Sequence, residues 1–131
     1  MTEVERLQGD PPSPWEERYG FSRVVRAGGF VLVGGTTSVD EDGVVVGEGP
    51  YEQAIEIFRK VSGELARVSA GLADVVQTRA YVVDISRADD VGRAHLEAFG
   101  QTRPLMTMVE VSALIDPRML VEVEVVAVVG G

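Results

Sequence analysis

The chain has no cysteine among its 131 residues, so disulfides, thiolate nucleophiles and cysteine-bound metals are excluded, and nothing in it calls for an oxidising compartment. Its single lysine, Lys60, falls among charged residues on the polar side of a helical pattern, which argues against Schiff-base catalysis. Its single histidine, His95, lacks the companions that a metal site or a two-histidine nuclease needs. Basic residues are few: 12 Lys and Arg against 21 Asp and Glu leave a net charge of −9, which excludes a broad footprint for nucleic acid or anionic membrane. No apolar run approaches the roughly 20 residues of a membrane span. The start, Met1-Thr2-Glu3-Val4-Glu5-Arg6, has neither the basic nor the apolar region of a secretory leader, so the expected location is the cytoplasm. The glycine pairs meet no phosphate-loop or dinucleotide spacing, and no cofactor is expected.

A hydrophobic content of 45% in a chain of this length suits one domain over residues 1–131. Three prolines in Gly9-Asp10-Pro11-Pro12-Ser13-Pro14-Trp15 predict an extended N-terminal arm over residues 1–20, with Trp15 as its anchor. Two apolar, β-branched runs, Phe21 to Arg26 and Phe30 to Val33, flank Ala27-Gly28-Gly29 and predict a hairpin. A turn at Asp40-Glu41-Asp42-Gly43 precedes Val44-Val45-Val46, a candidate extra edge strand. After Pro50, the spacing of Tyr51, Ala54, Ile55, Phe58, Val61, Leu65 and Val68 predicts an amphipathic helix ending near Gly71. Val75 to Asp84 reads as a strand with Val76, Thr78, Ala80 and Val82 on one face and Gln77, Arg79 and Tyr81 on the other. A second helix runs from Ala88 to Phe99, and two strands, Arg103 to Val111 and Leu120 to Val128, joined through Asp116-Pro117-Arg118, complete the chain. The resulting class is α+β, a single mixed sheet with two helices on one face, since each helix has one apolar stripe to bury. The other face then needs cover.

The stretches Arg103-Pro104-Leu105-Met106-Thr107-Met108-Val109-Glu110-Val111 and Leu120-Val121-Glu122-Val123-Glu124-Val125 resemble the C-terminal signature of the RidA/YjgF family. Val33-Gly34-Gly35, Gln53, Gly71-Leu72-Ala73-Asp74-Val75-Val76, Tyr81-Val82-Val83-Asp84 and Glu97-Ala98-Phe99 follow the same order and spacing, so the resemblance spans Phe21 to Val129. It implies a homotrimer whose sheets form a central barrel-like core, self-association as the partner interaction, and small-molecule clefts between subunits. The family includes hydrolases of reactive enamines and imines.

Carried over residue by residue, the resemblance makes Glu122 the carboxylate that orients water, with Glu124 two residues on along the same strand face. If both are enclosed, like-charge repulsion raises one pKa; the plainer alternative is a pair of solvated or salt-bridged glutamates. The family's ring-stacking tyrosine falls on Phe21, its serine on Gly34 and its asparagine near Arg93, while Thr107 and Met108 offer backbone hydrogen bonds. The arginine that grips the substrate carboxylate in the deaminases falls on Met106, whose thioether has neither charge nor donors. Arg79, Arg93 and Arg103 are candidates to replace it, each also readable as an ordinary ion pair. His95 reads as a packed core histidine or as a cleft proton donor. Loss of the carboxylate grip favours a trimeric small-molecule binder without standard 2-imino acid deaminase activity over a hydrolase working through Glu122. Ribonuclease activity fits the acidity poorly.

Overall fold

The computed structural model describes residues 3–130, and the N-terminal segment already departs from the extended arm its prolines predict. It contains a strand, β1 (Val4–Leu7), and a short helix, α1 (Pro14–Tyr19). The helix forms because Ser13 caps it, Pro14 presets the first turn, and Glu16 at the third position closes a reciprocal capping box. Gly20, at φ 76°, ends it in the left-handed conformation. The anchor is less Trp15, which is half-buried, than Glu16: only 1% exposed, it accepts the amides of Gly9 and Ser13 at 2.7 Å each.

The expected hairpin is β2 (Val24–Ala27) and β3 (Phe30–Thr36), closed by Gly28 at φ 61° so that Ala27 faces Phe30. The valine run 44–46 is not a strand and contributes one isolated bridge, Val39 to Val45. The remaining elements are α2 (Pro50–Ala66), β4 (Val75–Val82), α3 (Ala88–Phe99), β5 (Leu105–Glu110) and β6 (Val121–Val128). They build one six-stranded sheet in the order β1-β2-β3-β6-β4-β5. Every pairing is antiparallel except β4 with β5, which α3 joins as a crossover, so the sheet is mixed.

Both longer helices cover the same sheet face, and their stripes meet Val31, Val33, Val82, Val121, Val123 and Val125 in a single core. The stripe of α2 is rotated from the expected one. Ile57 is fully buried and Ile55 is 38% exposed, because Ile57 lies between Ala54 and Val61 at i+3 and i−4. The helix also stops earlier than Gly71, at Ala66, after which Ser69 turns left-handed at φ 64°. In β4 a bulge between Val75 and Gln77 changes the parity of the strand, turning Val75 inward and leaving Val76, expected inside, 44% exposed. No helix among the described residues is long and apolar enough to cross a membrane.

Gln53 fastens the first turn of α2 to the strand that carries the candidate acids. Buried to 2%, it donates to the carbonyls of Gly47 and Arg118 at 3.1 and 3.0 Å and accepts the amide of Leu120 at 2.8 Å. Gln53→Leu strands three backbone groups in the interior, and denaturant unfolding is expected to show a loss of about 2–4 kcal/mol.

Neither α2 nor α3 covers the other face of the sheet. Phe30, Leu32, Leu105, Val109 and Val128 are between 41% and 72% exposed there, interspersed with Gln77, Arg79, Tyr81, Glu122 and Glu124.

Candidate functional site

Glu122 lies on β6 between the inward-facing Val121 and Val123, so it projects from the uncovered face beside Tyr81. Its neighbour on β3 is Gly35, part of a bulge between Val33 and Thr36. A Cβ on Gly35 would stand 2.5 Å from Glu122 Oε2 and 3.0 Å from Cδ, so the missing side chain is what gives the carboxylate its place. Glu122 is half-buried, and no hydrogen bond from the described residues reaches its carboxylate. Burial raises its pKa from the ordinary glutamate value, Arg23 pulls it down in part, and Glu124 adds a smaller upward push.

Arg23 holds the bulge in shape. Its Nη1 donates to the Gly35 carbonyl at 2.8 Å, and its Nη2 to the Gly34 carbonyl at 3.0 Å and to Thr36 Oγ1 at 2.7 Å. Its backbone links β1 and β3 as well, through Leu7 and Gly34. Lys60 is not on an open polar face. Its long stem carries the ammonium inward to the carbonyls of Thr37 and Val39, at 2.5 and 2.7 Å, and burial followed by repulsion from Arg23 lowers its pKa. Arg23, Gly35, Lys60 and Glu122 border one cavity of about 830 Å³, which Trp15, Phe21 and the buried Met119 also line.

Glu124 is engaged where Glu122 is not. The Tyr81 hydroxyl donates to it in a short hydrogen bond, and Arg79 Nη1 lies 3.8 Å away. The hydrogen bond to Glu124 raises the Tyr81 phenol's pKa. The two acids therefore differ in kind: Glu124 belongs to a polar network, and Glu122 is the unengaged one.

Of the residues expected at the site, Phe21, Gly34 and Glu122 come together on this cavity, while Arg79 and Glu124 sit in an adjoining hollow that Arg23 and Gly34 also border. A serine side chain would fit at Gly34, since a Cβ there meets nothing nearer than 3.6 Å. The others stand elsewhere in the same chain. Arg93 lies 3.9 Å over the Tyr51 ring on the outer surface of the helices. Arg103 occupies the α3–β5 turn at φ 55°. His95 is packed against Phe58 and Phe99, with Nε2 2.9 Å from Thr78 Oγ1, and burial lowers its pKa. Met106 and Met108, paired with Thr78 and Ala80, lie on the helix side of edge strand β5, and Thr107 faces the open side beside Arg79. Sequence reasoning missed Arg23, Gly35 and Lys60. The available signal was an arginine two residues past Phe21, opposite a glycine pair across a predicted hairpin.

Gly35→Ala tests the close approach. The added methyl displaces a flexible carboxylate end rather than backbone, so unfolding free energy is expected to change by less than about 1 kcal/mol. Any activity that depends on the carboxylate's position is expected to fall by roughly 10–10²-fold in a rate assay.

The fold recurs among known proteins. Residues 14–129 match the family model described as Endoribonuclease L-PSP. The chain is similar to an uncharacterised protein of Streptomyces coelicolor, 43% identical over 125 residues, which cover 95% of this chain and 91% of that protein. It is similar to a RutC family protein of Pyrococcus abyssi, 30% identical over 108 residues, covering 82% of this chain and 84% of that protein. Among solved structures, a member of the highly conserved YjgF/YER057c/UK114 family from Mycobacterium tuberculosis superposes with a TM-score of 0.88 at 42% identity, covering 97% of this chain and 100% of that one.

Proposed function

The chain belongs to the Endoribonuclease L-PSP family, the group that includes the RidA/YjgF proteins, and from that premise we propose that it hydrolyses a small imine, enamine or related electrophile at Glu122. One observation carries the reading: a half-buried carboxylate with no partner among the described residues, held in a cavity beside a guanidinium. A strand glutamate kept only for structure finds solvent or an ion pair, as Glu124 does. A base needs a free lone pair and a pKa raised toward the working pH, and Glu122 has both.

In the proposed reaction, Glu122 accepts a proton from water as the water oxygen bonds to the C=N carbon. The C=N electron pair moves to nitrogen, which takes up a proton, giving a carbinolamine. The C–N bond then breaks and nitrogen leaves as ammonia with the proton Glu122 returns. The hydroxyl gives its proton to solvent, replacing the one nitrogen took from solvent in the first step, and a carbonyl compound remains. The site is completed by neighbouring copies in a homotrimer, a reading supported by the uncovered apolar sheet face and the unpaired outer edge of β5. Nuclease chemistry has no support in the geometry, because His95 is packed among aromatic rings on the helix side.

A non-catalytic binder stood ahead of the hydrolase on sequence alone, since Met106 carries no charge. The unengaged carboxylate of Glu122, with its raised pKa, reverses that order; Arg23 lies beside it, but its N–H groups are given to the Gly34-Gly35 bulge rather than to a ligand. Ammonia release from freshly generated 2-aminoacrylate and from an uncharged aldehyde imine, each against the uncatalysed rate, tests the reading. Acceleration of neither leaves the binder.

A further inference from the structure

The cavity beside Glu122 is larger than a three-carbon substrate needs, and its lining combines apolar side chains with acids such as Asp40, Glu41 and Glu64, which also disfavour an anion. Its volume of about 830 Å³ lies in the upper part of the range of roughly 300–1,000 Å³ that encloses drug-sized ligands. Trp15, Phe21 and Met119, the last 2% exposed, are among the residues that line the cavity.

The cations around the cavity have little left to offer an anion. A guanidinium grips a carboxylate through two parallel N–H groups, and both such edges of Arg23 include Nη2, which already donates twice. Nη1 has given one hydrogen to Gly35, and Lys60 has given two of its three to the loop carbonyls. At the rim Arg59 is paired with Glu56, and Arg79 faces the adjoining hollow with Glu124. Among the described residues of one chain a ligand carboxylate would find no free fork here and would lie close to Glu122. Position 106, which the homotrimer would bring in from a neighbouring copy, is the uncharged Met106.

We infer that the ligand is an uncharged imine or enamine bearing an aromatic or branched apolar group, with that group against Trp15, Phe21 and Met119 and its C=N carbon at Glu122. The turnover part of this statement rests on the hydrolase reading; the ligand class does not. Trp15 is the sole tryptophan, so its fluorescence reports occupancy of the cavity directly.

The probes are phenylacetamide, phenylacetate and acetamide, titrated into the intact protein. Phenylacetamide is expected to bind about tenfold or more tightly than either of the others, since phenylacetate adds an unpaired charge and acetamide lacks the apolar group. Phenylacetate binding as well as phenylacetamide overturns the charge assignment, and acetamide binding as well overturns the apolar one. In a parallel rate assay the imine of phenylacetaldehyde is expected to be hydrolysed faster than 2-aminoacrylate. Preferential binding of phenylacetamide without any turnover upholds the ligand class and removes the hydrolase reading alone.

Discussion

Glu122→Gln is expected to lower the rate of imine hydrolysis by roughly 10²–10⁴-fold, the usual contribution of a positioned general base, with little change in ligand affinity. The amide keeps the size of the side chain and the room that Gly35 provides, so loss of rate reflects loss of basicity. In the wild type, kcat should climb as pH rises through Glu122's raised pKa and level off above it; in the variant that limb should vanish. Stability moves the opposite way. Because the folded-state pKa lies above the unfolded one, the native state holds its proton more tightly, and wild-type stability falls as pH rises from the ordinary carboxylate range through the raised value. Glutamine has no such penalty, so the variant is expected to melt higher than wild type at neutral pH and equally near pH 4. A variant equally active at all pH values would leave Glu122 no part in the chemistry.

Arg23→Met should carry the largest stability cost at the site, about 2–5 kcal/mol by denaturant unfolding. It leaves the carbonyls of Gly34 and Gly35 and the Thr36 hydroxyl without their charged donor. It also removes the positive charge that opposes burial at Glu122, so the acid's pKa rises further and the pH–rate midpoint moves up with it. Arg23→Lys separates these effects, retaining the charge while losing the fork that spans the bulge. Its midpoint should stay nearer wild type than that of Arg23→Met, while much of the stability loss remains. Equal midpoints in all three proteins would show that the guanidinium acts on the backbone alone.

The elements legible in the sequence were those long enough to repeat their pattern. The seventeen residues of α2, the twelve of α3 and the hairpin at Gly28-Gly29 follow from spacing and glycine placement. The strand β1 was not legible because Val4 to Arg6 are all exposed in an edge strand, where no apolar alternation is required. The signal for α1 was present in Ser13-Pro14-Trp15-Glu16 but was outweighed by the prolines before it. One inserted residue at Val76 defeated alternation in β4, as a bulge must.

At the site, resemblance led to Phe21, Gly34 and Glu122. Arg23 escaped because its partners, eleven to thirteen residues away, exist only once the hairpin has closed and the bulge at Gly34-Gly35 has turned its carbonyls toward it. Lys60 escaped because helical periodicity gives the direction of a side chain and not the reach of its stem.

Met106 stands beside Thr78 on the helix side of the sheet, and Glu122 leaves the opposite surface. A residue at position 106 is thus on the far side of the sheet from the acid of its own polypeptide, and in the proposed homotrimer it is expected to reach only the acid of a neighbouring copy. Genetic lesions at the two positions would accordingly belong to different half-sites. Two inactive alleles, one damaged on each half, would rescue one another when expressed in the same cell, because mixed rings would include a boundary assembled from the two undamaged halves.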